Sequence, residues 1–307
     1  MFIRQLEYMV ALARERHFVR AAQSCSVSQP ALSEGIRKLE KELDVPLIRR
    51  GNKFEGLTAE GQELVLWARK ILADRDAMND EIGAMRTGVR GQLRFGSIPT
   101  ASIAVSLLNA PFCDSHPLAR VQVVSNLTSD DVVARLRSYE IDAGITYIQD
   151  PVPDEFRVFP LYRERYVLLT ATDAGSPPAV SATWTQAAAL PLCLLAPSMQ
   201  GRRRLDDIFA EVGISPEPRL ETDSVASLFA HVTTGSWATV VPAAWLHAFG
   251  VPANLHAVPL VGPERCVPVG LLTLARDPTP ILVRALASVV ESTDLTFLEH
   301  LPDEHKR

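Results

Sequence analysis

At Thr87-Gly88-Val89-Arg90-Gly91 the chain changes periodicity, and that break divides its 307 residues into two unlike parts. Residues 2–88 are rich in Leu, Ala, Arg and Glu, with only two prolines and one short interruption at 44–58, the texture of a mostly helical segment. Beyond Gly91, short β-branched or apolar runs at 93–98, 121–125, 143–146, 166–170, 192–195, 238–241 and 267–272 alternate with helical stretches. That alternation predicts an α/β domain with largely parallel strands. The length suits two or three domains. Hydrophobic content of 47% with 22% charged residues excludes a disordered or collagen-like chain.

The helical part holds the most specific pattern. Residues 17–25 predict a short helix, Ser26-Val27 a tight turn, and Ser28 the N-cap of a second helix running to about Leu43. Pro30 lies in that helix's first turn, where a missing N–H costs nothing. Leu32, Ile36, Leu39 and Leu43 recur at helical spacing and predict one buried stripe, leaving Ser28, Gln29, Ser33, Glu34, Arg37 and Lys38 outside. Small amide, hydroxyl and basic groups of this kind suit base edges and phosphates, and two helices around a short turn make a helix-turn-helix. Gly51-Asn52 then reads as a hairpin turn flanked by cations, a wing that lays Arg50 and Lys53 along a phosphate backbone.

Charge follows the same division. The net charge of −5 excludes a chain coated in positive charge, but residues 1–57 carry ten Lys and Arg against seven Asp and Glu. Residues 92–307 carry sixteen against twenty-three, so the basic excess sits only at the front.

Ala21-Ala22, then Val27-Ser28-Gln29-Pro30-Ala31-Leu32-Ser33, Ile36, Leu39-Glu40, Leu47, Arg50 and Leu57-Thr58-Ala59-Glu60-Gly61 together resemble the DNA-binding signature of LysR-type transcriptional regulators. The match spans about sixty residues in register; Cys25 and Ile48 stand where that family commonly has Leu and Phe. The resemblance implies that Gln29, Pro30, Ser33 and Arg37 face the major groove and that Arg50 and Lys53 serve the wing. Ser28 and Lys38 complete the expected DNA contacts.

Thr58 caps a further expected helix at 59–87, in which Leu64, Ile71, Met78 and Met85 fall on a seven-residue interval with Trp67 and Ile82 alongside. This predicts a coiled-coil seam, and the family resemblance implies a linker helix pairing two subunits of a dimer or tetramer. A four-residue hinge, 88–91, follows.

Residues 92–307 resemble, more loosely, the effector domain of the same family: two subdomains of the type II periplasmic-binding-protein kind with a ligand cleft between them. Subdomain I is expected at about 92–161 and 266–295 and subdomain II at about 162–265, with crossings near 161–165 and 263–267. Residues 96–102, 126–129 (with Ser129 as N-cap) and 221–224 are strand-to-helix junctions, which place N–H groups and hydroxyls at a sheet edge where α/β sheets bind small ligands. Thr100, Ser102, Thr128, Thr146 and Gln200 are the candidate effector-binding residues. Arg202-Arg203-Arg204 offers cations for a carboxylate effector, but a basic run opposes the dipole at a helix start and calls for a compensating anion, Asp206 or Asp207.

The expected partners are double-stranded operator DNA, a small-molecule effector, a second copy of the chain and RNA polymerase, with no membrane. No cofactor, metal or catalytic residue is expected. A rival reading, an enzyme fused to a DNA-binding module, finds no GxSxG, HExxH, P-loop or nucleotide fingerprint, and His116, His231, His247 and His256 are scattered. Another, redox sensing, finds Cys25, Cys113, Cys193 and Cys266 far apart, without a CxxC or zinc-ligand spacing; Cys193 reads as a buried strand residue. No charged segment precedes an apolar one at the N-terminus, and the apolar stretches at 187–196 and 237–249 are too short to span a bilayer. The expected location is the cytoplasm.

Overall fold

A computed structural model describes residues 1–50, 54–171 and 180–302, the side chain of Arg50 excepted. Three helices open the chain: α1 (Ile3–Glu15), α2 (Phe18–Ser24) and α3 (Gln29–Leu43). The turn between α2 and α3 closes through Ser26 at φ 55°, and the Ser28 hydroxyl caps α3 by accepting from the Ala31 N–H at 3.3 Å. Leu32, Ile36 and Leu39 are buried against Leu6, Met9 and Leu12 of α1 and Ala21 and Ala22 of α2. Gly35 lets α1 approach, because a Cβ there would lie 2.8 Å from the Tyr8 ring.

Leu43 corrects the expected stripe: it is 40% exposed. The inward place near the end of α3 belongs to Glu40, whose carboxylate accepts the N–H groups of Leu47 (3.0 Å) and Ile48 (3.3 Å) as the chain turns into the wing. The wing strands β1 (Ile48–Arg50) and β2 (Phe54–Leu57) pair antiparallel. The expected Gly51-Asn52 turn lies outside the described residues.

Helix α4 (Ala59–Thr87) starts at a Thr58 cap that accepts from the Gly61 N–H at 3.0 Å. Val65 and Ala68 are buried beside the first three helices, and Arg75 pairs with Glu7 of α1. The expected seam is open in the single chain: Leu64 and Ile71 are half-buried, whereas Trp67, Met78, Ile82 and Met85 are exposed. The expected four-residue hinge is shorter than predicted, since strand β3 (Arg90–Ser97) begins inside it and pairs Arg90 with Leu118.

The rest of the chain forms two lobes. In the first, β3, β4 (Leu118–Val124), β5 (Ala143–Tyr147), β6 (Phe156–Glu164) and β13 (Val267–Leu274) form one sheet in the order β4-β3-β5-β13-β6. Helices α5 (Ser102–Ser115), α6 (Ser129–Arg137) and α11 (Ile281–Ser292) belong to this lobe, and Leu108, Phe112, Leu286 and Leu298 fill its core with Phe95 and Leu271. In the second, β7 (Tyr166–Ala171), β8 (Ala182–Thr183), β11 (Thr239–Pro242) and β12 (Leu255–Val261) make a sheet ordered β11-β7-β12-β8, beside the pair β9 (Cys193–Leu195) and β10 (Leu220–Thr222). Helices α7 (Trp184–Ala188), α8 (Gln200–Glu211), α9 (Val225–Thr233) and α10 (Ala243–Phe249) complete it around Trp184, Phe209 and Trp245.

The sheets are mixed, which corrects the largely parallel expectation. β3 is parallel to β4 and β5, but β13 runs antiparallel to both β5 and β6, and β7 antiparallel to β11 and β12. The cause is the two crossings: β6 leaves the first lobe and β13 returns to it, while β7 enters the second lobe and β12 leaves it, so each outgoing strand runs opposite to its returning neighbour. The Ser129 cap is also corrected. Thr128 is the N-cap of α6, in a reciprocal box with Asp131, and Ser129 is the first helical residue.

At Gly61 an added Cβ would sit 2.0 Å from the carbonyl oxygen of Leu47, a backbone atom that cannot rotate away. Gly61→Ala should therefore destabilise the N-terminal module by about 2 kcal/mol, although Ala is the better helix former. Calorimetry should show its melting transition lowered by several degrees; an unchanged or raised transition would show that α4 does not press on the wing.

Candidate DNA interface and effector cleft

The N-terminal module turns one face of α3 to solvent. Ser28, Gln29, Pro30, Arg37 and Lys38 are exposed, and Ser33 is half-buried. Two are already engaged: Ser28 caps the helix, and Arg37 reaches Glu34 one turn back at 2.7 Å. Arg49 is exposed on β1; Lys53 and the side chain of Arg50 lie outside the described residues. Glu40, which the sequence reading missed, fixes where the wing leaves α3. The one available signal was a charged residue beside Leu39 in an otherwise apolar stripe.

A second site lies where the lobes meet. Gln200, at the start of α8, reaches across to α6: its Oε1 accepts the Ser129 N–H and its Nε2 donates to the Ser129 hydroxyl, both at 2.9 Å. Arg204 of the same helix stacks 3.8 Å over the Tyr147 ring of the first lobe. Beneath them, Glu164 ends β6 with no exposed surface. Its Oε1 accepts hydrogen bonds from the Tyr147 and Tyr166 hydroxyls, each at 2.9 Å, and Tyr147 also meets the Thr100 hydroxyl at 3.0 Å. Burial pushes the Glu164 carboxyl above its ordinary range, an effect the two tyrosine donors oppose, and burial beside that carboxylate holds both phenols well above theirs.

Two cavities flank this junction. One of about 160 Å³ lies under α6 and includes Ser129, Thr146 and Tyr147 in its wall; another of about 20 Å³ lies between the lobes, with Thr100, Tyr166 and Trp245 among its lining. The five expected effector residues are thus distributed unevenly. Thr146 faces the larger cavity, Thr100 the smaller, and Gln200 spans the lobes, whereas the Thr128 hydroxyl is occupied with Asp131 and Ser102 is exposed on the first turn of α5. Tyr147, Glu164 and Tyr166 were missed, whereas Ser129 was read only as a helix cap and Arg204 only as one of three cations for a carboxylate. The run Tyr162-Arg163-Glu164-Arg165-Tyr166 alternates aromatic and charged residues, a signal that its middle acid faces the same side as its tyrosines.

The arginine run is not a ready carboxylate cradle. Arg202 is buried, with Asp206 at 2.7 Å, Glu221 at 2.6 Å and the Leu195 carbonyl at 2.8 Å. Asp206 is thus the compensating anion, joined by Glu221. Cys193 is fully buried on β9, and burial pushes its thiol up to about 11; all four cysteines are free. No cluster of His, Cys, Asp and Glu among the described residues suits a metal ion, and no described helix is long and apolar enough to cross a membrane.

A winged helix-turn-helix joined by a long helix to a two-lobed domain with an inter-lobe cleft defines a ligand-responsive DNA-binding regulator. Residues 3–62 match the family profile described as bacterial regulatory helix-turn-helix protein, lysR family, and residues 86–294 match the LysR substrate binding domain. The chain belongs to the LysR family of transcriptional regulators. It is 28% identical over 292 residues to the DNA-binding transcriptional dual regulator OxyR of Escherichia coli K12, covering 95% of each protein. Over a 96-residue stretch it is 44% identical to the regulator BudR of Klebsiella aerogenes, covering 31% of this chain and 67% of that protein. Its fold resembles a full-length OxyR variant from Pseudomonas aeruginosa, with TM-score 0.75, 24% identity and 99% of each chain covered. It also resembles full-length CbnR solved with its target DNA, with TM-score 0.65, 23% identity, and 95% and 99% covered. These relatives are regulators, not enzymes.

Because the folded state holds the Glu164 proton more tightly than the unfolded chain, stability should fall as pH rises from the ordinary carboxyl value of about 4.5 toward the raised one. Glu164→Gln keeps an acceptor for both tyrosines and removes the ionisation. Melting curves between pH 5 and 8 should therefore show wild type losing stability relative to the variant; parallel curves would rule out a titrating Glu164.

Proposed function

We propose that this protein is a cytoplasmic, self-associating regulator that reads a two-part operator with α3 and its wing and changes its hold on DNA when a small effector occupies the inter-lobe cleft. The reading assigns DNA binding to residues 1–58, pairing of subunits to 59–87 and effector sensing to 92–307. One observation carries it: α3 is pinned by Leu32, Ile36 and Leu39 on one side and offers Gln29, Pro30, Arg37 and Lys38 to solvent on the other. Ser28 and Ser33 flank that face, and Arg50 and Lys53 serve the phosphates beside it. In the cleft, Thr100, Thr146 and Gln200 are the effector contacts, Thr128 caps α6 next to the Ser129 that Gln200 holds, and Ser102 follows Thr100 at the start of α5.

Several relatives are named as hydrogen peroxide-inducible gene activators. A thiol pushed up to about 11 and closed to solvent makes Cys193 a poor peroxide nucleophile, which favours a bound small molecule as the signal here.

Operator titrations at several salt concentrations test the DNA face. Gln29→Ala or Ser33→Ala should cost about 1–3 kcal/mol on the cognate site and little on others, whereas Arg50→Ala should weaken all sequences and lower the salt slope by about one. A specificity change with an unaltered slope for Arg50→Ala would undo the wing assignment.

Self-association rests on the apolar stripe of α4, where Trp67, Met78, Ile82 and Met85 are each more than half exposed. A bare stripe of this size on a long helix calls for a second helix. Ile82→Asp should shift the sedimentation coefficient toward monomer and cut operator affinity at least tenfold, since linked modules lose their effective concentration; an unchanged mass would remove the pairing role of α4.

A further inference from the structure

We propose that the effector seat is the cavity under α6, and that it takes a small uncharged molecule with an apolar body and one hydroxyl or amide head, in place of the carboxylate that the arginine run suggests. The proposal rests on the effector reading above and narrows its ligand class.

Size comes first. The cavity holds about 160 Å³. A dry cavity of about 150 Å³ accommodates a benzene ring, so the space suits six to nine heavy atoms. Its floor and far wall are apolar, built from Val133 of α6, Val152, Phe156 and Val158 around β6, and Leu272 of β13. The other end is polar. There the Thr146 hydroxyl, on a residue only 1% exposed, has no hydrogen-bond partner. A buried hydroxyl without a partner is unfavourable, and a ligand head would supply the missing hydrogen bond.

Charge excludes the anion. The cation in the cavity wall, Arg137, is already held by Glu155 through Nε at 2.8 Å and Nη2 at 2.5 Å, and lies over the Phe156 ring. Asp130 stands at the polar end, without an ion pair among the described residues. A ligand carboxylate there would be desolvated beside a like charge with no cation to receive it. The Ser129 N–H, which would otherwise welcome an anion at the start of α6, is spent on Gln200.

That engagement also supplies the regulation. Ser129 forms part of the cavity wall and is one of the residues that hold the second lobe, through Gln200, so a ligand head at Thr146 lies against a contact between the lobes.

The test uses the full-length protein with benzyl alcohol, benzamide and benzoate as probes, read by calorimetric titration and by operator affinity. Benzyl alcohol and benzamide should bind at least tenfold more tightly than benzoate. Val133→Phe, which fills the cavity, should abolish that binding. Thr146→Val, which keeps the shape and should melt no lower than wild type, should weaken it about tenfold. Benzoate binding as well as its neutral analogues, or neutral binding unmoved by both variants, would overturn the proposal. A metabolite that alters operator affinity in the Val133→Phe protein as in wild type would overturn it too, while leaving the cleft reading intact. Neutral probes that bind as described without changing operator affinity would uphold the ligand class and sink the effector role of the cavity.

Discussion

Glu164 occupies the single step at which the chain leaves one sheet for the other, and the two lobes are placed around it. A carboxyl removed from water is costly to ionise, and two donors converge on its Oε1 while the buried Oε2 has no partner. Tyr147 supplies one from the first lobe and Tyr166 another from the second, with Thr100 tied to Tyr147 behind them. The crossing is therefore a junction of side chains from both lobes rather than a bare strand. The Gln200–Ser129 and Arg204–Tyr147 contacts join the same two lobes a second time.

Helix α4 faces a different constraint, because one helix must serve both the DNA module and the sensor. Its polar side reaches both. Arg75 pairs with Glu7 of α1, Arg69 with Glu140 after α6, Asp74 with Arg276, and Glu81 with Arg284 of α11. Each such pair at a partly exposed surface is worth about 1 kcal/mol or less, so none alone fixes the helix. Spread over three turns they set its rotation. The same rotation leaves Met78, Ile82 and Met85 exposed while Leu64 packs on the N-terminal core.

Legibility in the sequence followed how local the cause was. The Ser28 cap, the α3 stripe through Leu39 and the Thr58 cap depend on neighbours within one helix turn, and each could be read from spacing. Leu43 could not, because the inward place goes to Glu40, which bonds to N–H groups seven and eight residues farther along the chain. Strands β6 and β12 were hidden by their internal prolines, Pro160 and Pro259, residues that usually argue against a sheet interior. In the cleft, Thr100 could be placed at a strand-to-helix junction and Thr146 at a strand end from the sequence pattern alone. Tyr147, Glu164 and Tyr166 could not, since their roles arise only when two lobes distant in sequence close on one another.

The charge division acquires a mechanical sense from this geometry. An acidic sensor domain repels the same polyanion that the basic front of the chain must hold, and at physiological ionic strength that repulsion extends only about 8 Å from each surface charge. The sensor's Glu140 pairs with Arg69, ten residues or about 15 Å along the 29-residue α4, close to two screening lengths, so the sensor can remain acidic without weakening the grip of α3. The ion pairs along α4 decide that distance by fixing the sensor against the helix. On the proposed effector reading, a change in lobe angle at Ser129 and Gln200 would need only to tilt the sensor relative to α4 to alter how much of its negative surface the DNA meets, with no direct path from the effector to α3.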